Sequence, residues 1–224
     1  MLNPWDNITW GDTIADCDKE EYNKLTQKQK DCLQTQLLPE PYWGDPQGDI
    51  LFLCGNPGYS VTDNCFVGNP DFEKLLKEVY SHLEKRAFWL EENIIPRPIC
   101  PVSRTEITHE GIKWWKSKIG KVKQLKETPF FVAEYFPYHS KESVSFMRNS
   151  KRWQSSDYTD SIIKSFIKDK KPIIIMRWEA EWKERIDGLS GYKKLIVVKS
   201  KRSAAISEHN LKGDGWKKLM AAFK

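Results

Sequence analysis

Four short apolar runs constrain the fold of this chain more than any other feature. They are Ile50–Cys54, Phe130–Ala133, Pro172–Met176 and Lys194–Val198. Each is a nearly unbroken run of β-branched, aromatic and aliphatic residues, the pattern of a strand covered on both faces. Between them the period changes to that of helices. Phe72, Leu75, Leu76, Val79, Tyr80 and Leu83 fall on one face of an amphipathic helix, with Asp71 placed to cap it. Ile112, Trp115, Ile119 and Val122 recur in the same way, and further helices are read at Asp160–Ile167 and Ala180–Ile186. Strands alternating with helices predict an α/β fold: three layers, a central, mostly parallel four-stranded sheet and helices on both faces. Residues 1–40 are read as an N-terminal helical extension, and 41–224 as the α/β domain.

A chain of 224 residues is long enough to bury a full core. Its 39% hydrophobic and 30% charged content is that of a globular protein. No run approaches the roughly 18 apolar residues of a membrane span. The acidic start of the chain, with two Trp, does not read as a signal peptide. A cytoplasmic monomer without membrane contact is therefore expected. The five cysteines (17, 32, 54, 65 and 100) form no C-x-x-C pair, so reduced thiols are expected and no metal is called for. Charge is divided unevenly, with a net −6 over residues 1–50 and +11 over the rest. A basic body with ten Trp suits a polyanion partner, or a well-solvated lysine-rich surface.

In parallel sheets, ligands bind outside the carboxyl ends of the strands. The residues just past the four strands are Gly55–Tyr59, Glu134–His139, Arg177-Trp178 and Lys199–Ser203. The first loop, Gly55-Asn56-Pro57-Gly58-Tyr59-Ser60, combines two glycines with a stiffening proline. It can aim backbone N–H groups and the Asn56 amide at one ligand atom, or serve as a plain turn. His139 follows the second strand and can reach the same pocket or be structural. Trp114-Trp115, among the lysines of 113–126, suits nucleic-acid contact or a helix that buries Trp115 and solvates its lysines. No Walker loop, G-x-G-x-x-G, G-x-S-x-G or H-E-x-x-H occurs, which argues against common NTPases, dehydrogenases, hydrolases and zincins.

Phe52-Leu53-Cys54-Gly55-Asn56-Pro57-Gly58 resembles the first motif of the uracil-DNA glycosylase superfamily, in its mismatch-specific branch. Phe130–Pro137 resembles the second family strand as written in the single-strand-selective branch. Ile173–Trp182 and Val197–Ser203 fall where the family has its strand-then-Trp segment and its last, DNA-contacting loop. The resemblance covers about residues 40–220 and is specific at the letter level in the first motif alone.

That resemblance implies a cofactor-free, metal-free glycosylase acting on DNA, single- or double-stranded, that flips a base into a pocket. Asn56 would hold the water or stabilise the departing base; His139, read from its place after the second strand, is the catalytic partner expected beside it. Gly55, Pro57, Gly58 and Tyr59 would shape the base site. Phe66 would stack on the base, rather than Phe72, which starts the amphipathic helix. Lys199, Ser200, Lys201, Arg202 and Ser203 would grip the backbone.

Two departures bear on substrate. Glu134 stands where the family has an Asn that reads uracil. Ionised, it is an acceptor only and suits a cytosine- or adenine-like edge; with a raised pKa it would donate as well, and it could instead cap a helix or pair with a Lys. The last loop has no His, and His209 lies a few residues on. Three readings stay open: a glycosylase for a non-standard or modified base, a non-catalytic DNA- or nucleotide-binding module, and a glycosylase of free nucleotides.

Overall fold

The computed structural model describes residues 2–86, 88–91, 93–100, 103–120, 122–142, 146, 153–200 and 202–223. In chain order its elements begin with two short helices, α1 (Lys19–Asn23) and α2 (Gln27–Cys32), then β1 (Tyr42–Gly44) and β2 (Ile50–Leu53). Helices α3 (Pro70–Tyr80), α4 (Glu110–Ile119) and α5 (Lys123–Glu127) precede β3 (Phe130–Ala133). There follow α6 (Ser156–Lys168), β4 (Ile173–Ile175), α7 (Glu179–Arg185), β5 (Leu195–Val197) and α8 (Gly215–Ala221).

The fold is α/β, built on one five-stranded sheet of order β1-β3-β2-β4-β5. The four strands read from the apolar runs form its parallel part. Ile50 aligns with Phe130 and Leu53 with Ala133; Leu51 aligns with Ile173, and Ile173 with Leu195. Every residue of β2, β3 and β4 is buried, which is why these strands read as continuous apolar runs rather than alternating ones.

The expected four-stranded parallel sheet needs one correction. β1 adds a fifth, antiparallel strand on β3, with Tyr42 opposite Ala133 and Gly44 opposite Phe131. Three residues are too few to show a period. Gly44 is required there, because its φ is +88° and a Cβ would collide with the Phe130 carbonyl oxygen.

Helix α3 buries Phe72, Leu75, Leu76, Val79 and Tyr80, as its period predicts. Its cap is Asn69, whose side chain accepts the Phe72 N–H, and not Asp71; Pro70 occupies the first helical position. The helix ends before the expected Leu83, since His82 has φ +57° and Leu83 is 77% exposed.

The first forty residues pack into the same core as the sheet, with α1 and α2 set among turns and extended segments. Trp5, Ile8, Ile14, Leu33 and Leu38 are buried within it. Asp18 is sealed inside, accepting from the Tyr138 hydroxyl (2.8 Å) and the Ser155 N–H (3.0 Å). Residues 33–41 then run antiparallel to 134–140 and extend the β1–β3 pairing. The Gln34, Glu40 and Glu134 N–H groups donate to His139, Pro137 and Pro41 carbonyls at 2.8–2.9 Å. That pairing carries Glu40 to the carboxyl end of the sheet.

Candidate functional site

The loops after β2, β3 and β4 enclose a cavity of about 800 Å³ at the carboxyl end of the parallel strands. Its lining includes Gly55–Tyr59, Glu134, His139, Arg177 and Trp178. Backbone groups at the base of the first loop are pinned from both sides. The Cys54 N–H donates to Ala133 O (2.9 Å), the Cys54 carbonyl accepts Trp182 Nε1–H (2.7 Å), and Gly55 O accepts the Phe136 N–H (2.9 Å). Trp178, in the left-handed region at φ +58°, lays its indole on Gly55, where a Cβ would come within 3.1 Å of Cε2.

Asn56 Nδ2 donates to Pro57 O and to Ser140 Oγ, both at 2.8 Å. Ser140 in turn donates to Glu142 O at 2.7 Å, which fixes the orientation of the amide. Asn56 Oδ1 accepts no hydrogen bond among the described residues and is free to take one from a ligand or water.

His139 is buried with both ring nitrogens engaged. Nδ1 lies 2.7 Å from Gly58 O and Nε2 lies 3.2 Å from Glu40 Oε1. Both neighbours are acceptors, so both nitrogens donate and the ring is an imidazolium. Burial opposes that charge, but Glu40 and the Gly58 carbonyl outweigh it and hold the pKa above the usual value. His139, expected as a catalytic partner, braces the Gly55–Ser60 loop and has no nitrogen left for proton transfer.

Glu134 behaves as its environment dictates. Its Oε2 is sealed from solvent without a partner. Burial, reinforced by the Glu40 charge and opposed by Arg177 and His139, pushes its pKa to about 8. At neutral pH it is a carboxylic acid, with a donor beside an acceptor, rather than the acceptor-only group expected of an ionised Glu.

Glu40, Asp63 and His109, all in the cavity lining, went unread in the sequence. Glu40 comes from the N-terminal segment. Asp63 and His109 form the second buried acid–imidazole pair, with Oδ1 and Nε2 3.6 Å apart, too long for a hydrogen bond. Asp63 Oδ2 accepts the Ser60 N–H (2.7 Å), while Oδ1 is buried and unpartnered. Burial raises the Asp63 pKa to about 6. His109 caps α4 by accepting the Gly111 N–H at Nδ1 (3.1 Å), and burial lowers its pKa to about 4. It is neutral, with its proton on Nε2. The signal for Asp63 was available: Ser60-x-x-Asp63 is a capping box.

Phe66, expected to stack on a ligand, is wholly buried against Phe72 (5.0 Å between ring centroids) and His109 (4.7 Å). The aromatic lining of the cavity comes from Tyr59, Trp89, Trp114, Trp178 and an edge of Trp115 instead. Trp115 is core, packed edge-on to Trp43. Lys199, Ser200, Arg202 and Ser203 of the last loop are not part of the cavity lining. Lys199 Nζ donates to His209 O (3.0 Å), the Ser200 N–H to Asn210 Oδ1 (3.1 Å) and the Ser203 N–H to Ser200 Oγ (3.0 Å). Arg202 and His209 are exposed, and Lys201 lies outside the described residues.

The cysteines are free thiols. No group of three or more His, Cys, Asp or Glu among the described residues is arranged to hold a metal, and none of the described helices is long and apolar enough to cross a membrane. No family model, curated protein or solved structure matches the chain.

Proposed function

We propose that this protein is a divergent glycosylase of the uracil-DNA glycosylase kind, with its sheet covered by helices on both faces. It would hydrolyse the N-glycosidic bond of a flipped, non-standard or modified base. The observation that carries the reading is the convergence of Asn56 and Glu134 on one cavity where β2 and β3 end. Its volume, about 800 Å³, is that of a small-molecule site and accommodates a nucleotide.

Two cavity carboxyls have pKa values pushed apart, to about 6 at Asp63 and about 8 at Glu134. Such a pair supports an assignment of base and acid at neutral pH. In the proposed reaction Asn56 Oδ1 accepts a hydrogen bond from the attacking water. The water oxygen bonds to C1′ and its proton passes to the Asp63 carboxylate. The C1′–N bond breaks with its electron pair going to the base, which takes the Glu134 proton. Neutral Glu134 also pairs with either an N–H beside a carbonyl or a ring nitrogen beside an amino group, so uracil-like and cytosine-like edges both fit. The reading carries a DNA partner and a cytoplasmic monomer that works without a cofactor.

One observation favours a non-catalytic DNA- or nucleotide-binding module: Lys199–Ser203, in the place of the family's last loop, has no His, and its described residues are not in the cavity lining. The deciding experiment is base release from oligonucleotides each carrying one normal, deaminated or modified base. Asn56→Ala should lower release about 10²–10³-fold with DNA affinity retained. Salt-sensitive DNA binding with no release from any oligonucleotide would leave the module.

A further inference from the structure

Arg177 follows β4 at the carboxyl end of the sheet and lines the cavity. Its guanidinium lies over the Trp114 ring, 5.6 Å from the centroid. Its Nε is sealed from solvent without a hydrogen-bond partner, and no hydrogen bond or ion pair to the terminal nitrogens is made among the described residues.

Arg185 shows what a satisfied arginine looks like in the same fold. It too stacks on aromatic rings, Tyr135 at 4.7 Å and Trp182 at 5.0 Å, and it too leaves Nε unpaired. Its terminal nitrogens, however, reach Asp160 Oδ1 (2.7 Å), Tyr135 O (2.6 Å) and Ser156 O (3.3 Å). Arg177 has no such set. A cation withdrawn from water and left without acceptors is costly, and a guanidinium fork matches an oxyanion with two parallel bonds. The Arg177 charge acts on the buried Glu134 carboxyl, and no ion pair joins the two among the described residues. Lys113, at the same cavity, is already joined to Glu110 at 2.7 Å.

We infer that Arg177 holds a phosphate of the ligand in this cavity, with Trp114 fixing the plane of its fork. The phosphate comes from one of two sources, the backbone beside a flipped nucleotide or the 5′-phosphate of a free nucleoside monophosphate. The inference deepens the proposed function and rests on it in taking the ligand to be a nucleotide.

Calorimetric titration tests it without any turnover. The probes are deoxynucleosides and their 5′-monophosphates, and a short oligonucleotide with a tetrahydrofuran site, intact or with one methylphosphonate next to that site. If the source is free nucleotide, a monophosphate binds the wild-type protein about tenfold or more tighter than its nucleoside, and Arg177→Gln brings the two to parity. If the source is the backbone, the methylphosphonate weakens oligonucleotide binding by a similar factor in the wild type and not in Arg177→Gln. Thermal melting checks that the variant is folded. Should it not fold, Arg177→Lys, which keeps the charge and loses the fork, is read by the same criteria.

Neither effect in the wild type, or either effect unchanged in a folded variant, overturns the assignment. The base-release panel separates this result from the proposed chemistry. Arg177-dependent phosphate binding without release sinks the glycosylase and keeps the phosphate site. Release with no phosphate effect does the reverse.

Discussion

Glu40 and His139 meet inside the protein, Oε1 to Nε2 at 3.2 Å, with side chains 11% and 5% exposed. Glu40 belongs to the N-terminal segment and His139 to the loop after β3, and the imidazolium also holds the Gly58 carbonyl. This pair therefore ties the shape of the Asn56 loop to the first forty residues. Glu40→Gln keeps the shape and removes the counter-charge. It is expected to cost about 2–3 kcal/mol near pH 6, measured by chemical denaturation, and to speed amide exchange at Tyr59 and Ser60. The His139 pKa is raised in the fold, so the pair's contribution is fully present below about 6.5 and fades as pH rises through the folded value. The penalty of Glu40→Gln should shrink in alkali; a penalty independent of pH would assign the pair no ionic role.

Glu134 moves stability with pH in the same direction, starting at a lower pH. Its pKa rises from 4.5 to about 8 on folding, so the folded state holds a proton that the unfolded chain has lost. Stability is expected to fall as pH climbs from about 4.5 to about 8. Glu134→Gln, which keeps the neutral shape, should stabilise the protein by roughly 2–4 kcal/mol at pH 8 and change little at pH 4. Thermal melts of both proteins across that range check it.

Under the proposed chemistry, base release by the wild type should follow a bell with limbs at about 6 and about 8, from Asp63 and Glu134 respectively. The charges of His139, Glu40 and Glu110 act on Asp63, and those of Glu40, Arg177 and His139 on Glu134. Asp63→Asn should lower the rate about 10²-fold and erase the acid limb; Glu134→Gln should erase the alkaline one. Single-turnover rates against pH read both, and an acid limb surviving in Asp63→Asn would remove Asp63 from the mechanism.

Gly55→Ala places a methyl group 3.1–3.3 Å from the Trp178 indole. Trp178 is held in a left-handed conformation and backed by Tyr135, so the ring must be displaced into the cavity or the loop must lift. A loss of about 1–2 kcal/mol and a shifted tryptophan emission are expected. An unchanged spectrum with full stability would show that the contact is loose.

The sequence-legible parts of the structure were those where one residue type answers to one physical demand. β2, β3 and β4 are runs of apolar residues because they are enclosed on both faces, and the loops following them had to meet at the cavity. β1 was illegible because three residues that follow Pro41 and end on a left-handed Gly44 carry no period, and its pairing is decided by β3, far along the chain. Phe66 in a polar loop looks like a ligand contact, yet His109 and Phe72 close over it, and nothing local announces them. The same distance hid Glu40, whose role exists only because residues 33–41 run against 134–140. Asp63 alone had a local sign, its capping box with Ser60, and that sign speaks of a turn rather than of a proton acceptor.

The threading of the N-terminal segment through the core has a consequence for how the protein is made. Asp18 is synthesised early, but the N–H that receives it belongs to Ser155, 137 positions later, and the hydroxyl to Tyr138, 120 positions later. On a ribosome the first forty residues must wait, with Trp5 and their other core side chains uncovered, until the loop after β3 has emerged. Such distant closures slow folding. A nascent chain stalled before Ser155 would hold Asp18 without the N–H that closes over it, on an acidic, tryptophan-bearing arm.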